Sequence, residues 1–379
     1  MTLDGPGQIV VTGTAGRASI ATMIAVLLHA RGDRVLQING HWLHSPLEQI
    51  AIDGASLTPE TIDSMGLQYE PGANPNVDAL RAQLLEQPGW DWLVVGGVDG
   101  LARQAMVAVV APILPIAGAT AAEQAAALLG RLAPAPVVVS APQRESVLDV
   151  LRPYAETRGS SLIEVAASCR LARERSDLDG QEFRLKTEMS DYRLRLPVLG
   201  SFQIENTATA VVAVECALIA KAAGKPLDLR ATRTALESLR LPGCCELIKR
   251  RPFVIVDAAS GPGSLGRVAE FLRSSFSGRN LEIIVDVGSA IEPAEFVNLL
   301  AALQPEIVVA GAADSSGWLA ACAEAGVAAQ RAINVTIAVE AALEAADPGD
   351  VLVVLGSRKA AAAARVQVLA LLPPDLRLN

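Results

Sequence analysis

Histidine is almost missing from this chain: three residues in 379, His29, His41 and His44. So small a set argues against a histidine-built metal centre. His41 and His44 could share a face of a short helix, but no acid or thiol stands at ligand spacing beside them, and surface or packing roles are expected. Cysteine is sparse as well, and its five residues (Cys169, Cys216, Cys244, Cys245 and Cys322) lie far apart except for one adjacent pair. That spacing suits neither zinc nor a disulfide framework in so long a chain, so reduced, mostly buried thiols are expected. Basic charge is in deficit: 32 Lys and Arg against 41 Asp and Glu leave a formal net charge of −9. A partner whose affinity comes from neutralising polymer phosphates does not fit that balance, which excludes nucleic acid. The densest basic run, Lys249-Arg250-Arg251, reads as a solvated turn beside a strand. Long apolar runs are lacking too; the longest, residues 105–116, is too short to span a bilayer and holds Pro112 and Pro115. The opening MTLDGPG has neither the basic nor the apolar region of a signal peptide, so a cytoplasmic protein with no membrane role is expected.

What the chain has is apolar material: 51% hydrophobic residues against 19% charged ones, enough to bury more than one core. Apolar runs alternate with amphipathic stretches, the pattern of an α/β protein built on a wound, mostly parallel sheet. Strands are expected at residues 8–11, 34–38, 92–96, 106–110 and 136–140. After the first of them, Ile20, Met23, Ile24, Leu27 and Leu28 fall on one helical face, closed by Gly32. Residues 161–199 change to short alternating segments with the turn signal Asp179-Gly180, which reads as a small antiparallel flap. A helical run over 205–223 follows. Beyond Leu241-Pro242-Gly243 the alternation restarts, with strands expected at 253–258, 282–287, 307–310 and 351–355. Two domains are therefore expected, 1–242 and 243–379.

Three motifs carry chemistry. The first, VTGTAGRAS over residues 11–19, ends the first strand; its glycines let backbone N–H groups turn toward an anion, and the helix behind adds its positive end. The strict phosphate-loop pattern wants Gly-Lys-[Ser/Thr], and here Gly16 is followed by Arg17, Ala18 and Ser19, so the segment alone is a weak signal. The second is LGSFQIENTATA over 199–210 and the third LPGCCELIKRRPFVIVDAASGPGSLGRVA over 241–269. In this order and at these separations the three resemble the folylpolyglutamate synthase and dihydrofolate synthase family of the Mur ligases. Weaker likeness runs through 50–62, 135–151 and 351–357, so it extends over nearly the whole chain.

The resemblance implies a P-loop-type ATPase domain followed by a Rossmann-like domain. It also implies ATP and Mg²⁺ as cofactors, γ-phosphoryl transfer to a substrate carboxylate, and displacement of the phosphate by the amine of glutamate. Such transfer needs cations clamped on the phosphate oxygens. Carried over by position, nucleotide contacts fall on Gly13, Thr14, Gly16, Arg17, Ser19, Asn206 and Asp257, with Ser19 as the one candidate metal ligand. Arg17 stands where the family has lysine and Ala18 where it has glycine. The family's magnesium-binding glutamate falls on Gly96, with Asp99 three residues on, and its modified lysine falls on Leu128. Gln203 and Asn206 persist, but Phe202 replaces a histidine; Asn206 reads equally as a polar residue at a helix start. Asp257 persists without the histidine and asparagine that follow it in the family. No residue is singled out as catalytic. The expected function is therefore a catalytically degenerate ligase homologue that senses a nucleotide or binds a partner. The alternatives are an active, divergent ligase in which Arg17, Ser19, Asp99 and Asp257 rebuild a site for folate or another carboxylate, and a non-catalytic subunit paired with a true ligase.

Overall fold

The computed structural model describes residues 5–69, 72, 76–97, 101, 104–116, 118–222, 226–288, 291–311 and 313–372; Asp99 lies outside the described residues. The chain divides into two compact units, one of Met1–Pro115, Ala119–Pro197 and Phe202–Arg240, the other of Ile116–Gly118, Val198–Ser201 and Leu241–Asn379.

The strands of unit 1 are β1 (Gly7–Thr12), β2 (Val35–Asn39), β3 (Ile50–Ile52), β4 (Ala55–Ser56), β5 (Trp92–Gly96), β6 (Val107–Val110), β7 (Val137–Ser140), β8 (Ser161–Glu164), β9 (Arg170–Asp177), β10 (Gly180–Lys186) and β11 (Asp191–Leu196). Its helices are α1 (Arg17–Ala30), α2 (Pro59–Ser64), α3 (Val77–Glu86), α4 (Ala121–Leu129), α5 (Glu145–Thr157), α6 (Val165–Ser168), α7 (Phe202–Ala220) and α8 (Leu229–Glu237). Among the described residues the first eight strands form one sheet in the order β4-β3-β2-β5-β1-β6-β7-β8, parallel from β2 to β8. Valine- and isoleucine-rich runs buried on both faces suit such central strands, and β2, β5 and β6 are buried throughout. Two apolar clusters, one on Leu36, Leu80 and Leu93 and one on Val110, Leu129, Val138 and Leu151, both reach Val10 and place α3, α4 and α5 on one face. Helices α1 and α7 pack together, with the Thr207 hydroxyl donating to the Met23 sulfur at 3.5 Å. The connection from β1 runs to one side of the sheet and that from β5 crosses β1 to the other. The C-terminal end of β1 is therefore a switch point, where open α/β sheets leave a crevice.

The antiparallel flap is β11-β10-β9, shorter than the expected 161–199. Ser161–Glu164 instead pairs parallel with β7 and completes the main sheet, because SLIE has the length and apolar centre of an edge strand. His41 and His44 share no helix: residues 40–45 are irregular, both side chains are exposed, and the Glu48 carboxylate accepts the N–H groups of Leu43, His44 and Ser45. Helix α7 is the one helix among the described residues long and apolar enough to cross a membrane. Its apolar window is 78% buried inside the protein, which makes it the core helix of unit 1.

A buried carboxylate fastens the flap to that helix. Glu215 of α7 is 6% exposed, and its Oε1 accepts the Tyr192 hydroxyl at 2.8 Å and the Thr187 hydroxyl at 2.9 Å. Burial pushes its carboxyl above the usual range, and the two hydroxyls oppose that only in part. A folded-state value raised above the unfolded one contributes stability fully below about pH 4.3, and the contribution is lost as pH rises through the folded value. Glu215→Gln keeps an acceptor without the charge. Thermal unfolding across pH should give a flatter profile for the variant and no loss of Tm at neutral pH; a lower Tm at neutral pH would mean that the charge itself stabilises the flap.

Unit 2 contains β12 (Glu246–Arg250), β13 (Phe253–Val256), β14 (Leu281–Asp286), β15 (Glu306–Ala310), β16 (Ala329–Ala332) and β17 (Val351–Leu355). Its helices are α9 (Pro262–Phe276), α10 (Pro293–Leu300), α11 (Ser316–Glu324), α12 (Val335–Ala345) and α13 (Arg358–Leu371). The sheet order is β12-β13-β17-β14-β15-β16, parallel except for β12. Lys249 and Arg250 therefore lie in a strand, and only Arg251 reaches the turn. All five cysteines are free, with Cys245 and Cys322 buried and the other three half-buried.

Candidate functional site

Residues 13–19 carry the chain from β1 into α1 at the crevice end of the sheet. Gly16 caps α1 with φ 73°, a left-handed conformation that glycine adopts without penalty. The turn is tied to the segment after β6: the N–H groups of Thr14 and Ala15 both donate to the Pro112 carbonyl, at 3.1 and 3.0 Å. The Leu114 N–H donates to the Thr14 hydroxyl at 2.7 Å. Gly13 passes so close to Ala111 that a Cβ there would lie 2.7 Å from its carbonyl oxygen. The first turn of α1 begins with the exposed Arg17 and the half-buried Ala18, and Ser19 is 5% exposed beneath them. Such a helix start offers backbone N–H groups and a partial positive charge.

One asparagine lies against this turn and a second at the end of the neighbouring strands. Asn206 lies inside α7, one turn beyond its start at Phe202, and so is not the helix-start residue its sequence setting allowed. It is fully buried. Its Nδ2 donates to the Gln203 Oε1 at 2.9 Å, while its Oδ1 has no partner and would lie 2.9 Å from a Cβ on Gly16. Asn39 ends β2, 7% exposed, and its Oδ1 also has no partner. That oxygen fills the space a Cβ on Gly96 would need, and such a Cβ would also lie 3.0 Å from the Ala21 Cβ. Arg17 lies over the next residue: a Cβ on Gly97 would fall 3.0 Å from its Nε and 3.1 Å from its Cζ.

Gly13, Thr14, Gly16, Arg17, Ser19 and Asn206 thus converge on one turn of unit 1. Asp257 belongs to unit 2 and is 5% exposed; its Oδ2 accepts the Cys245 N–H at 2.7 Å and its Oδ1 the Ala259 N–H at 2.6 Å. Burial pushes its carboxyl up to about 6, against the pull of those two donors. Its carboxylate organises a turn whose Cys245 has φ 46°. Leu128 is half-buried in α4, packed against the apolar cluster. Sequence reasoning missed Asn39; the available signal was a polar residue closing an otherwise apolar strand.

A wound α/β sheet whose first strand passes through a glycine turn into a helix start, at the switch point, defines a protein of the phosphate-loop α/β class. The family described as Mur ligase, glutamate ligase domain, matches residues 244–358. The dihydrofolate synthase/folylpolyglutamate synthase of Mycobacterium tuberculosis is 27% identical over 335 residues, covering 79% of this chain and 68% of the relative. Its Bacillus subtilis counterpart is 23% identical over 325 residues, covering 78% and 73%. A crystal structure of M. tuberculosis folylpolyglutamate synthase complexed with ADP and AMPPCP superposes with a TM-score of 0.78 at 25% identity, covering 96% of this chain and 91% of that one. Residues 244–358 thus match the Mur ligase glutamate ligase domain, and most of the chain is similar to folylpolyglutamate synthase/dihydrofolate synthases.

The residues at the turn fit ATP and Mg²⁺ unequally. A phosphate group is matched by the α1 start and the Arg17 guanidinium. Among the described residues, which leave out Asp99, magnesium is not matched: it calls for near-octahedral oxygen ligands, usually with a carboxylate among them. The aligned position at Gly96 has no side chain, and a Cβ there would displace the Asn39 amide. Among the described residues no three His, Cys, Asp or Glu side chains gather as a metal site.

Proposed function

We propose that this protein is a non-ligating member of the folylpolyglutamate synthase/dihydrofolate synthase family, a nucleotide-sensing or partner-binding protein that keeps the phosphate turn and has lost carboxylate–amine ligation. The observation that carries the reading is Asn39. Its amide oxygen occupies the space a Cβ at Gly96 would need, which supports a site packed without a carboxylate at that position. Removing one preorganised charge contact commonly costs about 10²- to 10³-fold in rate, and here the lysine and two metal-site anions are altered together. A divergent ligase rebuilt on Asp257 is disfavoured, since both oxygens of that carboxylate already hold backbone N–H groups of their own unit. Pairing with a true ligase subunit remains compatible with a non-ligating chain and concerns its partner. The test is incubation of the purified chain with Mg²⁺–ATP, a reduced folate and radiolabelled glutamate. No labelled folate above the protein-free control is expected; steady turnover overturns the proposal.

A further inference from the structure

We infer that the α1 start binds the phosphate groups of its ligand without a divalent cation, the Arg17 guanidinium supplying the positive charge and the Asn39 amide filling the space a carboxylate side chain at Gly96 would need. This rests on the phosphate-binding reading above and specifies its chemistry. Helix α1 has 14 residues and no acid in its first turn, so its N-terminal charge is not neutralised from within that turn. A ligand is independently indicated by Asn206. A fully buried amide oxygen without a donor, set against the residue that caps the helix, is an orphan that a hydroxyl or amino group of a bound nucleotide would satisfy. The second orphan, the Asn39 Oδ1, sits at the adjoining ends of β2 and β5.

Among the described residues at those strand ends the charge balance differs from that of a metal site. A neutral amide replaces an anion, so no cation is required to offset it before a polyphosphate can approach. Arg17 folds over Gly97 at the end of β5. Its guanidinium is permanently charged and presents paired donors that match phosphate oxygens, the role a hydrated metal plays elsewhere.

Calorimetric titration of the full chain with ATP and with inorganic tripolyphosphate, each in EDTA and in Mg²⁺, tests this. The expected result is binding in EDTA with an affinity that Mg²⁺ does not improve. Arg17→Ala, at an exposed position, should weaken both conditions by about tenfold or more, the loss of a charge-assisted contact. Asn39→Asp places an anion beside the phosphates; it should weaken binding in EDTA and let Mg²⁺ recover it. Tripolyphosphate binding as ATP does would assign recognition to the phosphate chain, and ATP binding alone in EDTA would add the nucleoside; both support the inference. Binding by the wild-type chain only with Mg²⁺ overturns metal independence and leaves nucleotide binding standing. No binding in either buffer by folded wild-type protein removes the phosphate-binding reading, and this inference with it.

Discussion

Gly96→Glu, which returns a carboxylate to the end of β5, should destabilise the protein by about 3 kcal/mol and restore no ligation. The new Cβ meets the Asn39 Oδ1, the end of a side chain that must move aside, and the Ala21 Cβ 3.0 Å away. Either the Asn39 side chain leaves its buried seat or β5 shifts against β2, and overpacking of this kind costs about 1–3 kcal/mol before any charge is buried. The partner substitution gives the check. Asn39→Gly should cost little by itself, since it removes a buried oxygen that has no donor, and it should recover much of the stability lost in Gly96→Glu. Urea unfolding of the two single variants and the double variant forms a cycle; a coupling near zero would mean that Asn39 does not hold the Gly96 position closed.

Asp257→Ala is expected to cost about 3 kcal/mol, because it leaves two buried backbone N–H groups, those of Cys245 and Ala259, without an acceptor. Asp257→Asn should cost less, about 1–3 kcal/mol, since the amide oxygen can serve one of them while its NH₂ faces the other. The pH dependence follows from burial, which raises this carboxyl to about 6. A raised folded-state value gives stability that is complete below the unfolded value of about 3.9 and is lost as pH rises through about 6. Both variants should lack that decline. Denaturant titrations on either side of the window check it: wild-type protein more stable at the acidic side with respect to this group, the variants flat. A variant as stable as wild type at neutral pH would show that the Cys245 turn does not depend on the carboxylate, and would reopen Asp257 as a ligand contact.

Much of the frame was legible because its signals are local. The β1 run GQIVVT, the glycine turn and the apolar face of α1 are each read from a few neighbouring residues, and they form the elements expected. The strands that escaped notice lack such signals. Ala329–Ala332 is AQRA, with no apolar alternation, and is a strand only because β15 offers it an edge. Ser161–Glu164 reads like the flap behind it, and its parallel partner β7 decides its sheet. The candidate site divides the same way. The residues of the turn are contiguous and were visible, whereas Asn39 and Gly96 are far apart in sequence and meet only through the β2–β5 pairing. Asn206 could be placed on a helix from its surroundings, but its orphaned oxygen against Gly16 depends on how α7 packs on α1. Asp257 looked like a ligand contact from its motif; its two hydrogen bonds to Cys245 and Ala259 are what the motif could not reveal.

Whether the chain transfers a phosphoryl group to a carboxylate is decided by trapping. Stoichiometric amounts of the chain, Mg²⁺–ATP and a reduced folate would be mixed with hydroxylamine, which converts any acyl phosphate to a hydroxamate. Neither hydroxamate nor folate-dependent ADP is expected from a non-ligating chain; a burst of both matching the protein concentration would mean that the chain still forms the acyl phosphate.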